Sequence, residues 1–111
     1  MSLLIELEGF PVKKGQEAKA QEWMTFLRQN QTQVSATLVA EKLLLEQIFS
    51  LQLDDRLYLC WYSHQDGIGL PVSESSNPID QQHVKYWQEC IDEQMPALKF
   101  KLENTFQVPE K

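Results

Sequence analysis

The segment Leu57-Tyr58-Leu59-Cys60-Trp61-Tyr62 constrains the fold more than any other part of the chain. Asp54-Asp55 precedes it as a turn signal, and at six residues it falls far short of the ~18 apolar residues of a membrane span. In an extended backbone successive side chains alternate, so Leu57, Leu59 and Trp61 share one face and Tyr58, Cys60 and Tyr62 the other. A strand that is apolar on both faces is normally covered on both faces. With 111 residues the chain is one domain, 1–111, long enough for an ordinary core without disulfide or metal staples.

The flanking patterns supply the remaining elements. Leu3, Ile5 and Leu7 alternate with polar residues up to Pro11, which reads as a half-buried strand. Gly15 is the expected helix N-cap, with Glu17 in the first turn. Ala20, Trp23, Leu27, Val34 and Leu38 then form a helical stripe. The polar run Arg28 to Gln33 predicts a kink or a second short helix near Asn30. Leu43 to Leu53 is strand-like and closes through Asp54-Asp55 into an antiparallel hairpin with Arg56 to Ser63. A loop over His64 to Ser76 leads to a helix capped by Asn77, with Pro78 in its first turn and Asp80 in a variant capping box. That helix is expected to reach about Asp92, and a last strand to run from Leu98 to Val108.

Strand, helix, strand, strand, helix, strand is the ferredoxin-like order, an α+β fold with a four-stranded antiparallel sheet and two main helices on one face. Two helices cover one side, so the other apolar face is expected to pack on a second copy as a closed homodimer.

Charge and composition exclude several partners. Ten Lys+Arg against sixteen Asp+Glu give a formal charge of −6, and the longest basic run is Lys13-Lys14. Neither nucleic acid nor an anionic membrane surface suits such a chain. Cys60 and Cys90 form no metal or redox spacing and read as reduced core thiols. No basic leader precedes the first apolar run, so the expected location is the cytoplasm.

Several stretches carry a closer likeness: Phe10-Pro11-Val12-Lys13, Glu22-Trp23-Met24, Leu59-Cys60-Trp61-Tyr62-Ser63, Ile79-Asp80, His83 with Trp87, Glu89-Cys90 and Ile91-Asp92. On these the chain resembles the dimeric α+β-barrel superfamily, and within it a bacterial family of uncharacterised small proteins. The superfamily includes cofactor-free and haem-degrading monooxygenases, mutarotases and dehydratases, whose site is often the cleft between sheet and helices. The resemblance implies a cleft and no particular reaction.

His83 lies between Ile79 and Trp87 on the apolar side of the second main helix. It is the candidate catalytic residue, a general base or ligand holder, set against a core histidine bonded to a backbone carbonyl. Tyr62 and Trp61 are candidates to orient a ligand, and Trp23, Trp87 and His64 to line an aromatic pocket or cleft mouth. His64 and His83, with Glu46 or Asp66 as a third group, lack recognisable ligand spacing, so no metal is expected. Glu6, Glu8 and Glu46 are expected to pair structurally with Lys99 and Lys101 across strands. No Gly-rich phosphate loop or nucleophile elbow is present, and no cofactor is implied. The expected function is binding of a compact organic molecule in the helix–sheet cleft of a homodimer. The alternative is a non-catalytic module for association with itself or another protein.

Overall fold

Every layer of the protein is assembled around one central strand, Arg56–Asp66. A computed structural model describes residues 3–67, 69 and 71–109. In chain order the elements are β1 (Leu3–Pro11), α1 (Glu17–Gln29), α2 (Gln31–Thr37), β2 (Leu43–Leu53), β3 (Arg56–Asp66), a single 3-10 turn (Val72–Glu74), α3 (Pro78–Cys90) and β4 (Leu98–Lys99). The fold is α+β, with a four-stranded sheet in the order β2-β3-β1-β4 whose every pairing is antiparallel.

The β2–β3 hairpin closes because Asp54 and Asp55 both take positive φ, at 50° and 62°. Tight hairpins need this geometry and Asp tolerates it better than most residues. Register then assigns side chains to faces, since directly opposed residues share a face. Phe10 opposes Leu59, and Ile48 opposes Trp61. These join Leu57, Val12, Ala20, Trp23, Tyr86, Cys90 and Ile91 in the core beneath α1 and α3. On the other face Tyr62 sits between Leu7 and Gln47, Cys60 between Gly9 and Phe49, and Tyr58 between Pro11 and Leu51. No described element covers that face, and Phe49 is 54% exposed there.

Several expectations from sequence are corrected. Gly15 does not cap α1: it turns the chain with φ of 92°, and its N–H donates to Glu17 Oε1 at 2.8 Å, leaving Gln16 as the boundary residue. Asn30 separates α1 and α2 where the polar run pointed to a break, and its Nδ2 donates to the Phe26 carbonyl at 2.8 Å. Asn77 caps α3 by accepting from the Ile79 N–H at 2.9 Å. The capping box is absent, however, because the Asn77 N–H donates to Ser75 Oγ at 3.1 Å and leaves the Asp80 carboxylate unused. Helix α3 ends at Cys90 and not Asp92, because Ile91 bridges to Val12 and the Asp92 N–H donates to the Pro11 carbonyl at 2.9 Å.

The largest correction concerns the C-terminus. β4 spans only Leu98–Lys99, and residues 100–109 continue without sheet partners apart from one bond, from the Phe100 N–H to the Leu7 carbonyl at 3.3 Å. A strand exists only where a neighbour accepts and donates its backbone hydrogen bonds, and this chain offers no second neighbour there. Phe106 is 91% exposed as a result.

Leu59 is almost wholly buried at the centre of this arrangement. Leu59→Ala is therefore expected to cost ~2–5 kcal/mol of stability, measured by urea unfolding.

Candidate functional site

A cavity of about 370 Å³ opens between α1, α2, α3 and the edge of the sheet at β2. Met24, Leu27, Val34, Leu38, Ile48 and Ile79 give it apolar walls, while Glu41, Glu46, Asp80 and His83 converge on it. The sequence folds this way because the helical stripe outruns the core. Its first members, Ala20 and Trp23, are buried in the core, whereas Leu27, Val34 and Leu38 line open space past the Asn30 break.

His83 is held by Trp23, whose indole Nε1 lies 3.0 Å from His83 Nδ1. An indole N–H can only donate, so Nδ1 must be the unprotonated, accepting nitrogen. The neutral ring then carries its proton on Nε2. Burial drives the His83 pKa below its ordinary value, and the nearby Asp80 charge opposes that only in part. His83 Nε2 has no acceptor among the described residues, and no unpartnered polar side-chain atom is sealed from open space. The imidazole therefore offers an N–H toward the cavity.

Opposite it stand three carboxylates. Glu41 follows α2 in the turn that enters β2, and its pKa is raised to about 7, first by burial and then by the charges of Glu46 and Asp80. Glu46 is also raised, by burial and by Asp80. Asp80 is only 6% exposed and has no hydrogen-bond or ion-pair partner among the described residues. The one basic side chain lining the cavity, Arg28, donates from Nη2 to Thr25 Oγ1 at 3.2 Å and pairs with none of the acids. Gly69 packs so closely on the Glu41 backbone that an added Cβ would lie 2.3 Å from its carbonyl carbon, so a side chain there would displace Glu41.

The remaining sequence candidates divide between the two sides of the sheet. Trp23, Trp61 and Trp87 lie on the helix side, with Trp23–Trp61 and Trp61–Trp87 centroids 5.5 and 5.3 Å apart. They form the aromatic floor of the core next to His83 and do not line the cavity itself. Tyr62 and His64 lie on the open face, joined by a 2.6 Å bond between the Tyr62 hydroxyl and His64 Nε2. Tyr62 lines a shallow apolar groove there with Leu7, Phe49, Leu51, Cys60 and Phe100. The sheet thus separates Tyr62 from His83, and the two cannot hold one ligand. His64 lies within β3 opposite Ile5, not at the mouth of a loop.

Glu8 does pair with Lys99, at 3.0 Å, but Lys101 pairs with Glu103 and Glu46 turns into the cavity. The free, buried thiols Cys60 and Cys90 are pushed to higher pKa chiefly by burial, which keeps them protonated and unreactive. Among the described residues no group of three or more His, Cys, Asp or Glu side chains could hold a metal ion.

Comparison with protein families matches residues 3–111 to a family of unknown function, DUF6176. The chain belongs to that family. No curated protein matched it. As a DUF6176 member it carries the family match across both the cavity side and the open face of the sheet.

Glu41 makes the acidic cavity visible in stability. Its folded pKa of about 7 lies above the ordinary 4.5, so between those values the folded state binds more protons than the unfolded chain. Stability contributed by this group falls as pH rises through that window. Glu41→Gln should remove this slope and gain on the wild type above about pH 7, in urea unfolding at matched pH. His83, with its lowered pKa, contributes the opposite slope on the acid side, and the wild-type-minus-variant difference cancels it.

Proposed function

We propose that this protein is a homodimer that holds a compact organic molecule in the helix–sheet cavity of each subunit. The observation that carries the ligand role is the cavity, whose 370 Å³ falls in the size range of small-molecule sites and whose walls are mostly apolar with a few convergent polar groups. His83 is the residue on which a ligand would be oriented. Its Nδ1 lone pair is occupied by Trp23, so a hydrogen-bond donor role suits it better than the general-base role read from sequence. Any turnover of cofactor-free monooxygenase, mutarotase or dehydratase type would draw its base from the neighbouring carboxylates, and Glu41, with a pKa of about 7, is best matched to that task.

The dimer, and with it the ferredoxin-like α+β-barrel arrangement, is supported by strand order and by surface area. The order β2-β3-β1-β4 leaves one sheet face without helices. The chain exposes 8002 Å², against ~6,300 Å² for a compact monomer of its mass. The excess, about 1,700 Å², is of the order that a specific interface removes from water. Phe49, Leu51, Phe100, Leu102, Phe106 and Val108 supply apolar surface for such a contact. The same surface also favours a second reading, a module whose only task is association; in that case the cavity stays empty of ligand.

Light scattering is expected to return twice the 13.0 kDa chain mass at micromolar protein. Phe49→Asp should yield a folded monomer with an unchanged far-ultraviolet spectrum. A wild-type particle of 13.0 kDa would remove the dimer from this account.

A further inference from the structure

Building on the ligand-holding role proposed above, we infer that the cavity selects a compact organic cation, a primary amine or amidine carrying an apolar group. Glu41, Glu46 and Asp80 reach it from three separate elements: the turn after α2, strand β2 and the first turn of α3. Asp80 decides the sign. At 6% exposure, a carboxylate without a hydrogen-bond partner among the described residues is costly unless something in the cavity donates to it. Sequence gave it a capping role, but Ser75 has taken the Asn77 N–H that a capping box would use. Its oxygens are therefore free to meet a ligand.

No protein group balances this charge. Arg28 is engaged with Thr25 at the rim, α2 contributes no charged residue, and Lys42 and Glu74 are exposed outside the lining. His83 is held neutral by the Trp23 N–H and adds no positive charge. The acids are not grouped closely enough for a bare metal ion among the described residues. An ammonium or amidinium on a hydrocarbon body fits both halves of the lining: donors for the carboxylates, and an apolar group for Met24, Leu27, Ile48 and Ile79. Anionic and neutral ligands would leave Asp80 unpaired.

The test uses the full-length chain and three probes of one shape: cyclohexylmethylamine, cyclohexylmethanol and cyclohexanecarboxylate, titrated by ¹H–¹⁵N NMR with Ile79, Asp80 and His83 as cavity reporters. The amine should shift those signals and bind at least about tenfold more tightly than the alcohol or the carboxylate. Its affinity should rise as pH is raised through about 7, where Glu41 ionises while the amine stays protonated. Asp80→Asn should weaken the amine by about tenfold or more with an unchanged thermal midpoint or a higher one, and Glu41→Gln should flatten the pH dependence. Equal or tighter binding of the alcohol or the carboxylate at these signals overturns the cation selectivity and leaves a ligand site standing. If none of the three moves the cavity signals, the ligand-holding role falls with it.

Discussion

The hydrogen bond from the Trp23 indole to His83 Nδ1 is the contact on which the rest of the structure depends. Trp23 is fully buried, packs on Trp61 of the central strand, stacks on Tyr86 and meets Trp87 edge-on. One side chain thereby ties α1 to α3 over β3. The same bond fixes the imidazole tautomer, and so determines what kind of polar atom the helix layer presents to the cavity. Were Nδ1 left bare in this buried setting, its unmet lone pair would cost ~1–3 kcal/mol. Structural and functional demands on Trp23 are therefore met by one atom pair.

Around that contact the protein divides its chemistry by sheet face. The helix side holds the core, the aromatic floor and the acidic cavity, whereas the open side holds an apolar groove and the Tyr62–His64 pair. The division follows from the period of two in β3, which sends Trp61 and Tyr62 in opposite directions. A strand built this way serves two separate surfaces, one beneath the subunit's own helices and one left uncovered by the described chain.

Much of this was legible in the sequence. The doubly apolar strand, the hairpin at Asp54-Asp55, the break near Asn30 and the Asn77 cap all follow from local pattern, because each is decided by backbone geometry or alternation. His83 was also legible as a cavity residue, from its place on the apolar stripe of α3. The acidic cluster was not. Glu41 sits in a turn with no periodicity to mark it, and Glu46 looks like a routine cross-strand partner until register carries Lys99 to Glu8 instead. Asp80 was absorbed by a capping motif that Ser75 pre-empts through a contact no spacing rule anticipates. One signal was available: Asp80 lies three residues before His83, a spacing that sets both on one helix face. The last strand failed for a different reason. Alternation of Leu98, Phe100 and Leu102 reports a surface suited to a sheet, but pairing requires a neighbour that this chain does not provide past Lys99.

The central claim is that His83 stands neutral, accepting at Nδ1 and donating from Nε2 toward an acidic cavity. Imidazole ¹⁵N shifts across a pH titration measure this directly. The account predicts an unprotonated Nδ1, a protonated Nε2 and a titration midpoint below the ordinary 6.5, with the Nε2 signal moving when the cavity is filled. A proton on Nδ1 in the neutral ring, or a midpoint above 6.5, would contradict it.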